Sequence, residues 1–218
     1  MRWSEALAGI ARTGLGFTTN EFERERYREI LEVAAEMRAA AEEGVSDVDV
    51  LTEWMKTTGR GVAGYQTPKV AVGAVVGNEK GEILLVQRAD SGVWLYPTGW
   101  ADIGYSASEV AVKEVLEETG IECEVVQLIA VLDGMRLGFT RIPLYSLVFH
   151  CRAVGGELRP HPLETSDVGW FPEDSLPRPL AGAGLWRDIA FAAIRGEAVE
   201  VFYDKPRHRP FMATGEQI

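Results

Sequence analysis

The chain has 218 residues, is 46% hydrophobic and carries a formal net charge of −11. The apolar share is enough for a sizeable core, and the length suits one domain with an appendage or two small domains. So acidic a chain disfavours a nucleic-acid duplex, which selects basic surfaces, and disfavours an anionic membrane surface. If it handles phosphates, cations must bridge the two.

No run approaches the roughly 18 apolar residues of a membrane span. The opening MRWSEALAGIARTG has Glu5 in its first turns and no apolar leader core, which reads as a chain without a signal peptide. Cys123 and Cys151 lie in apolar, strand-like contexts. They read as buried free thiols rather than a disulfide, which implies the cytoplasm. His150, His161 and His208 show no metal-ligand spacing.

In chain order, residues 2–13 predict a short helix with Trp3, Leu7, Ile10 and Ala11 at helical spacing, ended by Gly14 and Gly16. Asn20 is a candidate N-cap for a longer helix, with Tyr27, Ile30, Ala34, Met37 and Ala41 apolar, and Gly44 ends it. Two such helices cannot bury their apolar faces alone. They pack either on the main domain or on a second subunit, and a homodimer contact is the preferred reading. Residues 44–66 suggest a turn of helix at Leu51–Met55 and then a Gly-rich linker. Residues 70–76 and 82–88 predict two strands joined by a hairpin at Asn78 and Gly81.

The stretch from Gly99 to Ile121 carries the most chemistry. Ser106 and Glu109 form a capping box, so a helix should start near Ala107, and Gly120 should end it. On a helical wheel Val112, Val115, Leu116 and Thr119 share one face, and Glu114, Glu117 and Glu118 share the opposite one. Like charges at that spacing repel, so an acidic stripe of this kind is either a solvated face or a cation site. The apolar, tight loop before it (Trp94, Tyr96, Pro97, Gly99, Trp100) favours the cation. Clustered hard oxygens suit Mg²⁺ or Mn²⁺.

These residues resemble the Nudix box, G-x5-E-x7-R-E-U-x-E-E-x-G-U, with U aliphatic. Gly99, Glu114, Val115, Glu117, Glu118, Gly120 and Ile121 match in register. Tyr105 stands where the first Glu belongs and Lys113 where the Arg belongs. In the family pattern that Glu and Arg pair to orient the helix acids. The expectation is that the Tyr105 hydroxyl accepts a hydrogen bond from Lys113 instead. Residues 1–60, through TGLGF and FERERYREI, resemble the N-terminal region of a Nudix subset acting on nucleoside diphosphates linked to a moiety X.

Beyond the box, residues 122–132, 144–151 and 163–171 predict strands, residues 185–195 predict an amphipathic helix, and the tail after Asp204 reads as loosely held. Strands flanked by helices give an α/β/α sandwich with a mixed sheet, which is also the fold the resemblance implies. The expected organisation is an N-terminal helical region at 1–60, a catalytic domain at 65–204 and a tail at 205–218.

The resemblance implies Mg²⁺- or Mn²⁺-dependent hydrolysis of a small nucleotide, of ADP-ribose or CDP-alcohol type, to a nucleoside monophosphate and phospho-X. Glu114, Glu117 and Glu118 would hold the metal with the Gly99 carbonyl. Glu164 is either a further base or ligand, or a surface acid. Arg88 reaches a phosphate or pairs with a box Glu. Tyr65 and Trp100 stack on a base or pack in the core, and Tyr105 is a further substrate-side candidate. The competing readings are a nucleotide-binding sensor without turnover, and an interaction protein acting through its N-terminal helices.

Overall fold

The computed structural model describes residues 2–59, 66–102 and 104–206. Tyr65 and most of the tail lie outside them. The chain divides into two compact units, one carrying the described residues up to Lys69 together with 140–143, the other the described remainder.

The first unit holds α1 (Arg2–Phe17), α2 (Glu21–Ala41) and α3 (Asp47–Thr57). Their shared core is Ala8, Ala11, Leu15, Leu31, Ala34, Ala35, Val50 and Trp54. Ser4 reaches across to donate to the Ala34 carbonyl at 2.7 Å, and Arg38 pairs with Glu5 and Glu42. Three expectations are corrected. Gly14 and Gly16 do not stop α1. A Cβ at Gly14 would lie 2.3 Å from the Tyr27 ring, so this glycine is where α2 packs closely. Trp3 and Ile10 are exposed, and the buried face is Ser4, Ala8, Ala11 and Leu15. The third helix is also longer than a single turn, because the Ser46 side chain caps it by accepting from the Asp49 N–H.

The second unit is built on an eight-stranded sheet in the order β3-β2-β1-β6-β5-β8, with β4 paired to β1 and β7 to β2. The strands are β1 (Lys69–Gly77), β2 (Ile83–Arg88), β3 (Trp94–Leu95), β4 (Thr98–Trp100), β5 (Ile121–Asp133), β6 (Leu144–Gly156), β7 (Thr165–Phe171) and β8 (Phe202–Tyr203). The neighbouring helices are α4 (Ala107–Thr119), the four-residue α5 (Gly134–Leu137) and α6 (Ala183–Ile194).

Alternation along β1 and β2 makes the two faces. Val72, Ala74, Val76, Leu84 and Val86 meet Val110, Ala111 and Val115 of α4. Val75, Ile83 and Leu85 point the other way and meet Trp186, Ala190, Phe191 and Ala193 of α6. With both faces covered, the strands are near-continuous apolar runs. The result is the mixed-sheet α/β/α sandwich expected from the sequence. Cys123 and Cys151 are buried free thiols in the α4-side core. No described helix is long and apolar enough to cross a membrane.

Candidate active site

Helix α4 begins and ends where its sequence directs. The Ser106 hydroxyl accepts from the Glu109 N–H at 3.3 Å, and the Glu109 carboxylate accepts from the Ser106 N–H at 2.6 Å. Glu109 is therefore a capping residue. Gly120 closes the helix at a positive φ of 74°, its N–H donating to the Leu116 carbonyl. A side chain there would meet the Glu157 carbonyl at 2.4 Å, so glycine is required on both counts.

The helix faces differ from the wheel. Val110, Ala111, Val115, Glu118 and Thr119 are buried and Leu116 is exposed. Glu118 is 7% exposed, the Glu114 side chain 12% and the Glu117 side chain 52%. The acids are thus graded across the edge of the core rather than set opposite it. The cause is β4, a short strand where the sequence predicts a loop. It pairs with β1 through Ala71–Trp100, Val72–Gly99 and Gly73–Thr98. That pairing lays its backbone over the acidic side of the helix. The Thr98 N–H donates to the Glu118 carboxylate at 3.0 Å. A Cβ at Gly99 would lie 2.3 Å from the Glu114 carboxyl carbon.

Around these groups lies a cleft of about 440 Å³ lined by Arg88, Asp90, Thr98, Gly99, Trp100, Asp102, Lys113, Glu114, Glu117, Glu118, Leu163 and Glu164. Its lining carries six carboxylates against one guanidinium and one ammonium. Burial raises the Glu114 pKa and pushes Glu118 up to about 8. For Glu118 the Thr98 N–H works in the opposite direction, while the Glu114 and Glu164 charges add to the rise.

Glu164 is placed by a segment tied to the end of α4. The His161 N–H and the Thr165 hydroxyl both donate to the Glu118 carbonyl, at 3.2 Å each. The His161 Nδ1 lies 3.9 Å from the Glu164 carboxylate. Arg88 does not pair with a box acid. Its guanidinium makes two bonds to Asp90, at 2.9 and 2.6 Å, which raise its pKa. Trp100 is half exposed on the cleft wall rather than part of the core.

Lys113 also departs from expectation. Its ammonium lies 2.8 Å from Glu117, 3.1 Å from Asp102 and 3.7 Å from Glu114. Tyr105 is 54% exposed, does not line the cleft and makes no hydrogen bond to Lys113. Two further acids of the cleft, Asp90 and Asp102, are not among the residues the sequence singles out. Asp90 had a local signal, being two residues from Arg88. Asp102 had none, because only the β4–α4 crossing brings it to Lys113.

The donor chemistry fits a divalent cation: two desolvated carboxylates one turn apart, beside a backbone that only glycine lets come so close. Among the described residues no three His, Cys, Asp or Glu side chains form a closed cage as they stand. Mg²⁺ does not demand one, since it keeps waters and takes phosphate oxygens alongside one or two carboxylates.

A family profile described as the NUDIX domain matches residues 67–190, and one described as the UDP-X-like, N-terminal oligomerisation domain matches residues 1–54. The chain belongs to the Nudix family. It is 36% identical over 177 residues to Bacillus subtilis YjhB, named provisionally as an ADP-ribose pyrophosphatase, spanning 80% of this chain and 81% of that protein. A crystal structure of UDP-X diphosphatase is similar over 93% of this chain and 97% of its own, with a TM-score of 0.56 and 29% identity. A Streptococcus suis ADP-ribose pyrophosphatase structure is 34% identical and has a TM-score of 0.54, covering 63% of this chain and all of its own. This Nudix chain is a hydrolase by family.

A pKa of about 8 for folded Glu118, against the ordinary carboxylate value near 4.3 when unfolded, has a defined sign. The folded chain binds the extra proton between those values, so metal-free stability falls as pH rises through that window. Denaturant midpoints of the metal-free protein from about pH 5 to about pH 9 should show this fall, on the order of a few kcal/mol. Glu118→Gln should flatten it and be the more stable form at the alkaline end. A wild-type curve flat across the window contradicts the burial of this acid.

Proposed function

We propose that the chain is a divalent-metal-dependent pyrophosphohydrolase acting on a nucleoside diphosphate linked to a moiety X. The observation that carries this is the charge of the cleft. Six carboxylates face two cations, so a bare diphosphate would be repelled. An acidic site of this kind takes a phosphate substrate only together with a cation.

Glu114 and Glu118 would hold the ion, with the Gly99 carbonyl beside them and Glu117 at the solvent edge. A divalent ion bound there neutralises the diphosphate charge and lowers the pKa of an attacking water. The chain's own contribution is positioning, which dominates phosphoryl-transfer chemistry. The Thr98 N–H holds the Glu118 carboxylate in one orientation. Glu164, on its anchored segment, is the candidate to accept a proton from the water. Arg88, at the cleft wall, is the candidate contact for a phosphate oxygen, at the expense of its bonds to Asp90. Trp100 offers an exposed ring for a base or for X.

The names of the relatives support ADP-ribose and UDP-linked compounds as first substrates, and the earlier expectation adds CDP-alcohols. With Mg²⁺ or Mn²⁺, a panel of ADP-ribose, a UDP-sugar and CDP-choline should yield a nucleoside monophosphate and phospho-X from at least one member. Excess EDTA should abolish turnover, and Glu118→Gln should lower kcat at least a hundredfold by removing a charged ligand. Full turnover in EDTA rejects the reading. Tight binding without turnover of any compound favours the sensor.

We also propose that residues 1–54 mediate association with a second copy of the chain. Trp3 and Ile10, seven residues apart on α1, share one exposed apolar face, and Phe17 continues it. The profile matched by this region is described as an oligomerisation domain. Sedimentation of the full chain should show a dimer, and Trp3→Glu combined with Ile10→Glu should convert it to monomer. A double variant that stays dimeric moves the interface elsewhere.

A further inference from the structure

Among the described residues Lys113 is the single cation that touches the carboxylates of α4, and it touches two of them, Glu117 at 2.8 Å and Glu114 at 3.7 Å. Left to these alone, the ammonium would settle between Glu114 and Glu117 and draw both toward itself. It has a third partner, however. Asp102, in the loop after β4, lies 3.1 Å from Nζ. Glu117 and Asp102, in that order, raise the Lys113 pKa, so the ammonium stays charged.

We infer that Asp102 is a positioning residue for the metal-binding carboxylates, acting through Lys113. It anchors the ammonium so that Glu117 is steadied while Glu114 remains available beside Gly99. The loop acid and the helix lysine form one unit. Asp102 sets where the positive charge sits, and Lys113 transmits that to the helix acids. An ammonium is a point charge with three rotatable donors, so its place is set by its acceptors rather than by its own geometry. Removing one acceptor of three therefore moves it. The inference rests on the metal reading given under Proposed function.

The test is a double-mutant cycle read by Mn²⁺ binding to the full chain, followed by electron paramagnetic resonance without substrate, with thermal midpoints in EDTA as the control for folding. Asp102→Asn should weaken Mn²⁺ binding on the order of tenfold, the scale seen when a group that orients metal ligands is lost. Asp102→Glu should restore most of it. Lys113→Met should also weaken binding, and Asp102→Asn added to Lys113→Met should cause no further loss, because the path from Asp102 runs through the lysine. Half-exposed Asp102 is not part of either core, so the EDTA midpoints of its variants should stay near wild type. If Asp102→Asn binds Mn²⁺ as wild type does, if Lys113→Met tightens binding as simple removal of a positive charge would, or if the two effects are fully additive, the inference is overturned while the metal reading stands. If the wild-type chain binds no Mn²⁺, both fall.

Discussion

The site depends on one close approach, the backbone of β4 laid against the carboxylates of α4. At Thr98 the approach is a hydrogen bond of 3.0 Å to Glu118. At Gly99 it leaves no room for a Cβ beside Glu114. Both partners are held from elsewhere. The strand is fixed by its pairing with β1 and by the Thr98 hydroxyl, which donates to the Val72 carbonyl at 3.0 Å. The helix is fixed by its caps and by Val110, Ala111 and Val115 in the core.

That scaffold has to oppose the site it builds. Desolvating Glu114 and Glu118 beside one another disfavours their charged forms. Burying one valine side chain contributes roughly 1.5–3 kcal/mol, so buried Val110 and Val115 of α4 supply enough to offset a cost of a few kcal/mol. A protein that carries an unfavourable cluster on a well-packed frame gives up stability at the place where it acts. The Thr98 N–H recovers part of the cost at Glu118 and orients the carboxylate as it does so.

Much of the second unit was legible in the sequence because local signals coincide there. Near-continuous apolar runs, a hairpin at Asn78 and Gly81, and a capping box at Ser106 and Glu109 followed by a glycine stop at Gly120 mark β1, β2 and α4 independently. The box pattern then located Gly99, Glu114, Glu117 and Glu118. What was not legible is non-local. A two-faced wheel put Glu118 away from the core because a wheel knows nothing of a strand crossing the helix. The same crossing brings Asp102 to Lys113 across eleven positions, and no periodicity encodes it. In the first unit Gly14 reads as a helix stop by propensity, but the packed Tyr27 ring overrides propensity and the helix continues. Tertiary contact decides each of these cases, and sequence spacing carries no record of it.

The central claim is that the seam between β4 and α4 is built to hold a cation against a diphosphate. Anomalous scattering from crystals grown with Mn²⁺ and a non-hydrolysable diphosphate-linked nucleotide tests it most directly. The account predicts an anomalous peak in the cleft, bonded to Glu114 and Glu118 beside the Gly99 carbonyl, with diphosphate oxygens completing its coordination. A diphosphate bound against Arg88 and Lys113 with no ion between it and the helix acids, or a peak only at some other place on the molecule, would contradict it.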